Sequence, residues 1–205
     1  MKKIIISAFI IIAATSIFSC ESTSRKLPIL GERDFINGDS VYHTIPDFSL
    51  INQDSLPITN KTYEGKIYVA DFFFTTCPTI CPVMKKQMLR VYEKYKENTK
   101  IGILSHTIDP RHDSVQVLKE YATRLGINGN MWNFVTGDKS KIYKLGEKSY
   151  YITAGEDSTA AGGIIHSGAF ILVDTKRRVR GIYDGTKETD VTKLIKDMQV
   201  LLNEK

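Results

Sequence analysis

Residues 72–87 read FFFTTCPTICPVMKKQ, and they indicate both the fold and the chemistry of this chain. Cys77 and Cys81 follow a run of aromatic residues and have three residues between them, one more than in a C-x-x-C redox motif. A proline follows each cysteine, where it restricts the backbone and removes an N–H donor. If this segment is helical, residues four apart lie on one face, so the two sulfurs can form a disulfide with some adjustment of the backbone. They can also bind one soft metal ion, Cu(I) or zinc.

The flanking residues predict a buried strand followed by a helix. The apolar run at 67–74 is interrupted only by Asp71, which is typical of a central strand. Residues 80–98 carry apolar side chains, Met84 and Met88 among them, at the spacing of an amphipathic helix. Its basic residues are predicted to lie on a solvated face; they are Lys85, Lys86, Arg90, Lys94 and Lys96.

The rest of the chain alternates strand and helix patterns. A hairpin is predicted to start at 48–51, with further strands at 101–107, 134–136, 169–173 and 179–183 and helices at 115–125 and 191–202. This order predicts an α/β thioredoxin-like fold with a central mixed sheet flanked by helices. The cysteines then lie where the first buried strand meets its helix, and the positive end of the helix dipole stabilises thiolates there.

The sequence at the N-terminus predicts that the protein is exported. Lys2 and Lys3 precede an apolar run at 4–18 that is too short for a membrane span, so residues 1–19 are interpreted as a lipoprotein-type signal peptide. The sequence Ile17-Phe18-Ser19-Cys20 resembles a lipobox, in which Cys20 becomes the lipidated first residue; an uncleaved membrane anchor is the alternative. Residues 20–44 are predicted to be a membrane-tethering linker and 45–205 the thioredoxin-like domain. We expect a membrane-anchored lipoprotein that faces the periplasm.

Charge and cysteine count narrow the possible roles. The chain has 28 basic and 23 acidic side chains, and without Lys2 and Lys3 the balance is 26 to 23, or +3. This mild and scattered charge argues against a nucleic-acid partner. If Cys20 carries lipid, two of the three cysteines remain. A disulfide between Cys77 and Cys81 closes too short a loop to stabilise the fold, so the pair is predicted to serve chemistry.

A copper site with two thiolates usually takes a third donor, and four histidines are available. His166 lies in the sequence GGIIHSG before a buried strand, in a loop that faces the cysteine helix in a thioredoxin-like fold. It can supply an imidazole to a metal held by both cysteines. His106 lies at the end of a predicted strand and is a weaker candidate, as a residue that contacts the metal ligands and not the metal. His43 and His112 are interpreted as linker and loop residues.

Four segments together resemble the Sco/SenC family of copper proteins from about residue 44 onward. They are TTCPTICPVM at 75–84, SHTIDPRHDS at 105–114, HSGAFILVD at 166–174 and YDG at 183–185. The resemblance implies a tethered thioredoxin fold that binds copper through Cys77, Cys81 and His166 and helps to assemble the dinuclear copper centre of cytochrome c oxidase. It also implies that Asp109 lies near the site. His106 departs from the family, which more often has a small or apolar residue there.

The resulting hypothesis is a copper metallochaperone that carries Cu(I), with Cu(II) as a second state. Its predicted partner is the oxidase subunit with the copper centre, or another cuproprotein. The main alternative is a thiol–disulfide reductase that uses Cys77 and Cys81 alone, so enzymatic activity stays open. A copper or redox sensor is a further alternative. A peroxiredoxin-type peroxidase is disfavoured because residues 71–76 lack the proline of its P-x-x-x-T-x-x-C motif.

Overall fold

The computed structural model describes residues 25–156 and 164–204, without the side chains of 154–156 and 164–166. The strands are β1 Arg33–Ile36, β2 Asp39–Tyr42, β3 Ser49–Asn52, β4 Pro57–Thr59, β5 Ile67–Phe73, β6 Ile101–Thr107, β7 Trp132–Thr136, β8 Ala154–Glu156, β9 Ile164–His166, β10 Ala169–Val173 and β11 Val179–Asp184. The helices are a 3₁₀ turn at Asn60–Tyr63, α1 Ile80–Tyr95, α2 Val115–Arg124, α3 Lys139–Ser149 and α4 Glu188–Asn203.

The central sheet is mixed, as predicted. Its strand order is β11-β10-β5-β6-β7-β3-β4. Strands β5, β6 and β7 are parallel, and the outer strands pair antiparallel to their neighbours. Because the three central strands share one direction, their carboxyl ends meet at one edge of the sheet. The loops that leave β5 and β6 at this edge carry the cysteines and the Asp109–Asp113 segment.

The core confirms most of the predicted pattern. Every residue of β5 is buried, as expected for a central strand covered on both faces. Met84 and Met88 are fully buried on α1, so these two thioethers belong to the core. The prediction of a solvated basic face is wrong for Lys85, which is only 2% exposed. Its side chain points inward and pairs with Asp71 of β5.

Parts of the segment 25–44, which was predicted to belong to a linker, lie against the domain, whereas every residue of β1 is exposed. Leu27 is buried, and its carbonyl accepts a hydrogen bond from Arg180 Nη2 at 2.7 Å. The Leu30 N–H donates to the Val179 carbonyl at 2.8 Å. Residues 33–42 form the β1–β2 hairpin around Asn37 and Gly38, which both have positive φ, as a tight hairpin turn requires. The tethering role of this segment and the domain boundary at residue 45 stay predictions.

Two further features were not predicted from the sequence. Helix α3 packs on the sheet, where Gly146 lies so close to Phe72 and Ile152 that an added Cβ would meet them at about 3.0 Å. Strands β8 and β9 form a small antiparallel pair just before β10. Within 25–156 and 164–204, no helix is long and apolar enough to cross a membrane.

Candidate metal centre

The two cysteines lie at the junction of β5 and α1, as predicted. Strand β5 ends at Phe73, and α1 begins at Ile80. Cys77 is 7% and Cys81 2% exposed, and both are present as thiols. Pro82 lies in the first turn of α1, where backbone N–H groups have no helical acceptor, so its missing donor costs the helix no hydrogen bond.

Cys77 is the more acidic thiol of the pair. Burial acts to raise its pKa, but hydrogen bonds from the backbone N–H groups of Cys81 and Thr79, together with the side chains of these two residues, outweigh burial and lower its pKa. Thr79 Oγ1 lies 3.7 Å from Cys77 Sγ. Thiolates are the nucleophilic and metal-binding form of cysteine. Of the two sulfurs, Cys77 is therefore the one expected to attack a disulfide or to bind a metal first.

Cys81 has the opposite tendency. Burial raises the pKa of its thiol to about 12, although a hydrogen bond from the Phe74 N–H and the charge of Lys85 act to lower that pKa. The hydrogen bond between the two sulfurs lowers the pKa of Cys77 and raises that of Cys81, so Cys81 is the donor in it. Two hydrogen-bonded thiols of unequal acidity therefore lie side by side at the start of α1, and Cys77 is the one that loses its proton more readily.

Asp113 fixes the loop that carries the cysteines. Its carboxylate is fully buried and accepts hydrogen bonds from the Thr75 N–H at 3.1 Å and the Thr75 hydroxyl at 2.5 Å. It also accepts from the Thr107 hydroxyl at 2.5 Å, and the His112 Nδ1 atom lies 3.0 Å away. One carboxylate thus connects Thr75, which lies two residues before Cys77, to Thr107 at the end of β6.

A cleft of about 350 Å³ opens beside the sulfurs between α1 and α2. Cys77 and Cys81 line one end, and Leu89, Tyr121 and Leu125 supply apolar walls. A metal ion or an attacking thiol can therefore approach the pair from solvent although the cysteines themselves are buried.

His166 is described at the level of its backbone only. It ends β9, opposite Ala154 of β8. Two residues later, a Cβ added to Gly168 would lie 3.7 Å from Cδ1 of Ile80, the neighbour of Cys81. The chain that leaves His166 therefore passes the N-terminus of the cysteine helix. The imidazole itself lies outside the described side chains.

The other predicted residues differ in their relation to the cysteines. Asp109 is half-buried in the loop after β6, and its carbonyl accepts from the Asp113 N–H at 2.9 Å. His106 is stacked on Phe72 at 4.5 Å, and burial lowers its pKa to about 4, which makes it a neutral core residue. Cys20 lies outside the described residues.

The sequence reasoning did not assign two groups near the cysteines, namely the Asp113 carboxylate and the Lys85–Asp71 pair. A signal for Lys85 exists, because Cys81, Met84, Lys85 and Met88 follow the i, i+3, i+4, i+7 spacing of a buried helix face. The lone charge of Asp71 within an apolar strand was the second signal. A buried acidic residue facing a basic residue in the apolar stripe of the next helix predicts such a pair.

The donor set agrees with a soft metal ion. Cys77 lies in the loop just before α1 and Cys81 in its first turn, so the i, i+4 helical arrangement expected from the sequence does not form. Two neighbouring sulfurs nevertheless suit Cu(I), whereas hard cations prefer oxygen. Among the side chains that the structure describes, no group of three or more His, Cys, Asp or Glu could hold a metal ion. The predicted third ligand, His166, is not among those side chains, and its place beside the cysteines stays a prediction; its backbone lies two residues before Gly168, which passes Ile80.

Comparisons with known proteins agree with this geometry. A family model described as SCO1/SenC matches residues 37–203. The SCO1 protein homolog of Bacillus subtilis (strain 168) is 31% identical over 167 residues, which cover 78% of this chain and 84% of that protein. A protein of Stutzerimonas stutzeri whose name gives it as copper-binding is 28% identical over 142 residues, which cover 67% of each chain.

Solved structures match as well. A SCO1/SenC family lipoprotein from Bacillus anthracis str. Ames superimposes with a TM-score of 0.72 at 29% identity, covering 78% of this chain and 96% of that one. The structure of BsSco, described as a member of the Sco family of cytochrome c oxidase assembly proteins with a disulfide switch, has a TM-score of 0.69 at 30% identity. It covers 80% of this chain and 95% of its own.

Proposed function

Because this chain belongs to the SCO1/SenC family, we propose that it binds Cu(I) through Cys77, Cys81 and His166 and delivers it to the copper centre of a cytochrome c oxidase. The observation that carries this proposal is the pair of hydrogen-bonded thiols at the start of α1, with the chain after His166 packed against Ile80. Two soft sulfur donors and an imidazole form a three-coordinate set that Cu(I) accepts. The copper-binding relative supports this assignment.

Delivery requires that copper leaves as well as binds. The cleft beside the sulfurs gives an acceptor thiol access to Cys77, the more exposed of the two ligands. Ligand exchange at a three-coordinate ion can then pass the metal to the partner, with each new sulfur replacing an old one. The acceptor that we propose is an oxidase subunit with cysteine ligands, or another cuproprotein. Cu(II) is a second state that the same residues can hold.

We also propose that the domain faces the periplasm, anchored to a membrane by lipid on Cys20 after removal of residues 1–19. The lipobox-like sequence carries this part of the proposal, and the structural similarity to a family lipoprotein supports it. Metabolic labelling with a fatty-acid probe tests the anchor. We expect label on the wild-type protein and none on Cys20→Ala, and label on the variant would contradict the assignment.

Replacing His166 tests the ligand set. His166→Ala is expected to weaken Cu(I) binding by about a hundredfold or more, or about 2.8 kcal/mol at 1.4 kcal/mol for each factor of ten. The measurement is a Cu(I) titration of the reduced, detergent-solubilised full chain against a competing chelator. His112→Ala is the matched control, because its imidazole pairs with Asp113, and it should leave the affinity unchanged. Equal affinity of wild type and His166→Ala would contradict the three-ligand site.

The affinity for Cu(I) is expected to rise with pH. Burial raises the pKa of Cys81 to about 12, so this thiol keeps its proton at neutral pH and must release it when copper binds. One released proton makes binding about tenfold tighter for each pH unit between pH 6 and pH 8. The same chelator competition at several pH values measures it, and an affinity independent of pH would show that Cys81 does not bind as a thiolate.

A thiol–disulfide reductase is the second candidate function. The hydrogen bond from the Cys81 thiol to Cys77 favours it, because it stabilises the nucleophilic thiolate that attacks a disulfide. This activity does not require His166. His166→Ala should therefore lose copper affinity and keep its rate of disulfide exchange, which separates the two functions in one variant.

A further inference from the structure

A charge pair is buried next to the cysteine site. Lys85 Nζ lies 2.5 Å from Asp71 Oδ2, and the two side chains are 2% and 0% exposed. Removing two charges from water is costly, and their mutual attraction offsets the cost only when further hydrogen bonds satisfy them. A protein with two hydrophobic side chains at these positions would often be as stable. The charged pair therefore suggests a function other than stabilising the fold.

The carboxylate of Asp71 is held by a small polar network. Ser105 Oγ donates to Asp71 Oδ1 and lies 3.2 Å from Lys85 Nζ. The indole N–H of Trp132 donates to the same hydroxyl at 2.9 Å. Both oxygens of the Asp71 carboxylate therefore accept hydrogen bonds, Oδ1 from Ser105 of β6 and Oδ2 from Lys85 of α1.

The ammonium group of Lys85 lies among aromatic rings. Its Nζ is 4.0 Å from the centre of the Phe73 ring, 5.5 Å from Phe134 and 5.7 Å from Trp132. The faces of aromatic rings attract cations, more strongly where water is excluded. These rings hold the positive charge in place and leave its field unscreened by water.

Lys85 lies one helical turn after Cys81. The two residues are four apart on α1, so their side chains leave the same face of the helix, and both line the cleft beside the sulfurs. The Lys85 charge acts on the Cys81 thiol against the effect of burial, which raises the pKa of that thiol.

We propose that Lys85 is a positioning residue for copper: its buried ammonium stabilises the negative charge that the site gains when Cu(I) binds both thiolates. This inference rests on the proposed function. When Cu(I) binds, two S–H bonds break, two Cu–S bonds form and two protons leave to solvent. One positive ion then lies between two thiolates, for a net charge of −1. An uncompensated charge in a low-dielectric site is costly, and Lys85 is the adjacent cation.

Lys85 is not expected to affect the equilibrium between the dithiol and the disulfide. A neutral dithiol and a disulfide both carry no charge, so a nearby cation stabilises neither of them much. Removing the Lys85 charge should therefore weaken copper binding and leave the equilibrium between dithiol and disulfide almost unchanged. A residue that served only to keep the fold intact would not separate these two quantities.

The test compares Cu(I) affinity with the disulfide equilibrium in the variant Asp71→Asn/Lys85→Met. This double change removes both charges together and leaves no unpaired ion in the core. We expect the dissociation constant for Cu(I) to rise by about tenfold, because Lys85 lines the cleft with Cys81 whereas Asp71 does not, so the loss of the cation outweighs the loss of the anion. The equilibrium constant with glutathione at pH 7 should change by less than about twofold. Both are measured on the full chain in detergent.

Two further variants keep the inference falsifiable if the double variant does not fold. Ser105→Ala removes the shared hydroxyl and keeps both charges, so its Cu(I) affinity should stay within about threefold of the wild type. Asp71→Asn keeps the cation and removes the anion, so it should bind Cu(I) at least as tightly as the wild type. An equal loss in Ser105→Ala, weaker binding by Asp71→Asn, or unchanged affinity of the double variant would overturn the role of Lys85.

The outcomes also separate this inference from the proposed function. Tight wild-type binding together with any of these contrary results overturns the role of Lys85 alone. Absence of tight Cu(I) binding in the wild type overturns the proposed function, and the role of Lys85 with it.

Discussion

Cys81→Ser is expected to abolish tight Cu(I) binding, with a loss of affinity of about 10⁴-fold or more, or about 5.6 kcal/mol at 1.4 kcal/mol for each factor of ten. A serine hydroxyl keeps its proton at neutral pH, and its oxygen is a hard donor that Cu(I) does not favour. The substitution also removes the partner that donates a hydrogen bond to Cys77. Cu(I) titration of the reduced protein against a chelator measures the loss.

The matched control is Met84→Leu. Met84 lies on the same helix, carries sulfur and is fully buried in the core, so its thioether is not expected to reach the metal. A swap of Met for Leu conserves volume and should leave copper affinity unchanged. If Met84→Leu lost as much affinity as Cys81→Ser, the thioether would be a ligand. If Cys81→Ser kept tight binding, the dithiolate site would be wrong.

Asp113→Ala is expected to destabilise the protein by about 3 kcal/mol, the largest effect on folding that we predict. The buried carboxylate accepts hydrogen bonds from the Thr75 N–H and from the Thr75 and Thr107 hydroxyls, and it lies against the imidazole of His112. Alanine would leave the buried Thr107 hydroxyl and the half-buried Thr75 donors without their acceptor. Urea unfolding measures the change as a lower midpoint at an unchanged slope.

Asp109→Asn is the comparison for this variant. Asp109 is a half-buried carboxylate in the same loop, and its contact with Asp113 is made by its backbone carbonyl, which the substitution keeps. We expect a change within about 0.5 kcal/mol, as for most substitutions away from a buried network. If Asp109→Asn destabilised the protein as much as Asp113→Ala, the loop would depend on both carboxylates. A stability of Asp113→Ala equal to the wild type would show that the hydrogen bonds to this carboxylate contribute little.

The strands and helices that the sequence predicted well are those with a strong apolar period. Strand β5 and helix α1 were predicted to within a few residues because a continuous apolar run and a helical stripe surround the cysteines. Helix α3 was not predicted. Of its eleven residues four are lysine, and its buried face is small, with Gly146 in close contact with Phe72. Its position depends on the sheet beneath it, which a local pattern does not contain.

Residues 25–44 also show that a local sequence pattern does not predict long-range contacts. Their composition of polar residues and glycines predicted a linker, yet Leu27 is buried and Arg180 binds its carbonyl. Arg180 lies 153 positions later in the chain, so no local window of sequence includes both partners. The segment is ordered by a contact that forms only when β11 and α4 are in place.

The residues that carry the chemistry of this protein can be read from its sequence, whereas the environment of those residues depends on the folded chain. The two cysteines, their spacing and their place before a helix follow from a local stretch, because residue type and helical period act over a few positions. The unequal pKa values of Cys77 and Cys81, the anchoring by Asp113 and the burial of Lys85 against Asp71 do not. They depend on desolvation and on charges brought together from β5, β6, α1 and the loop after β6, and these meet only in the folded chain.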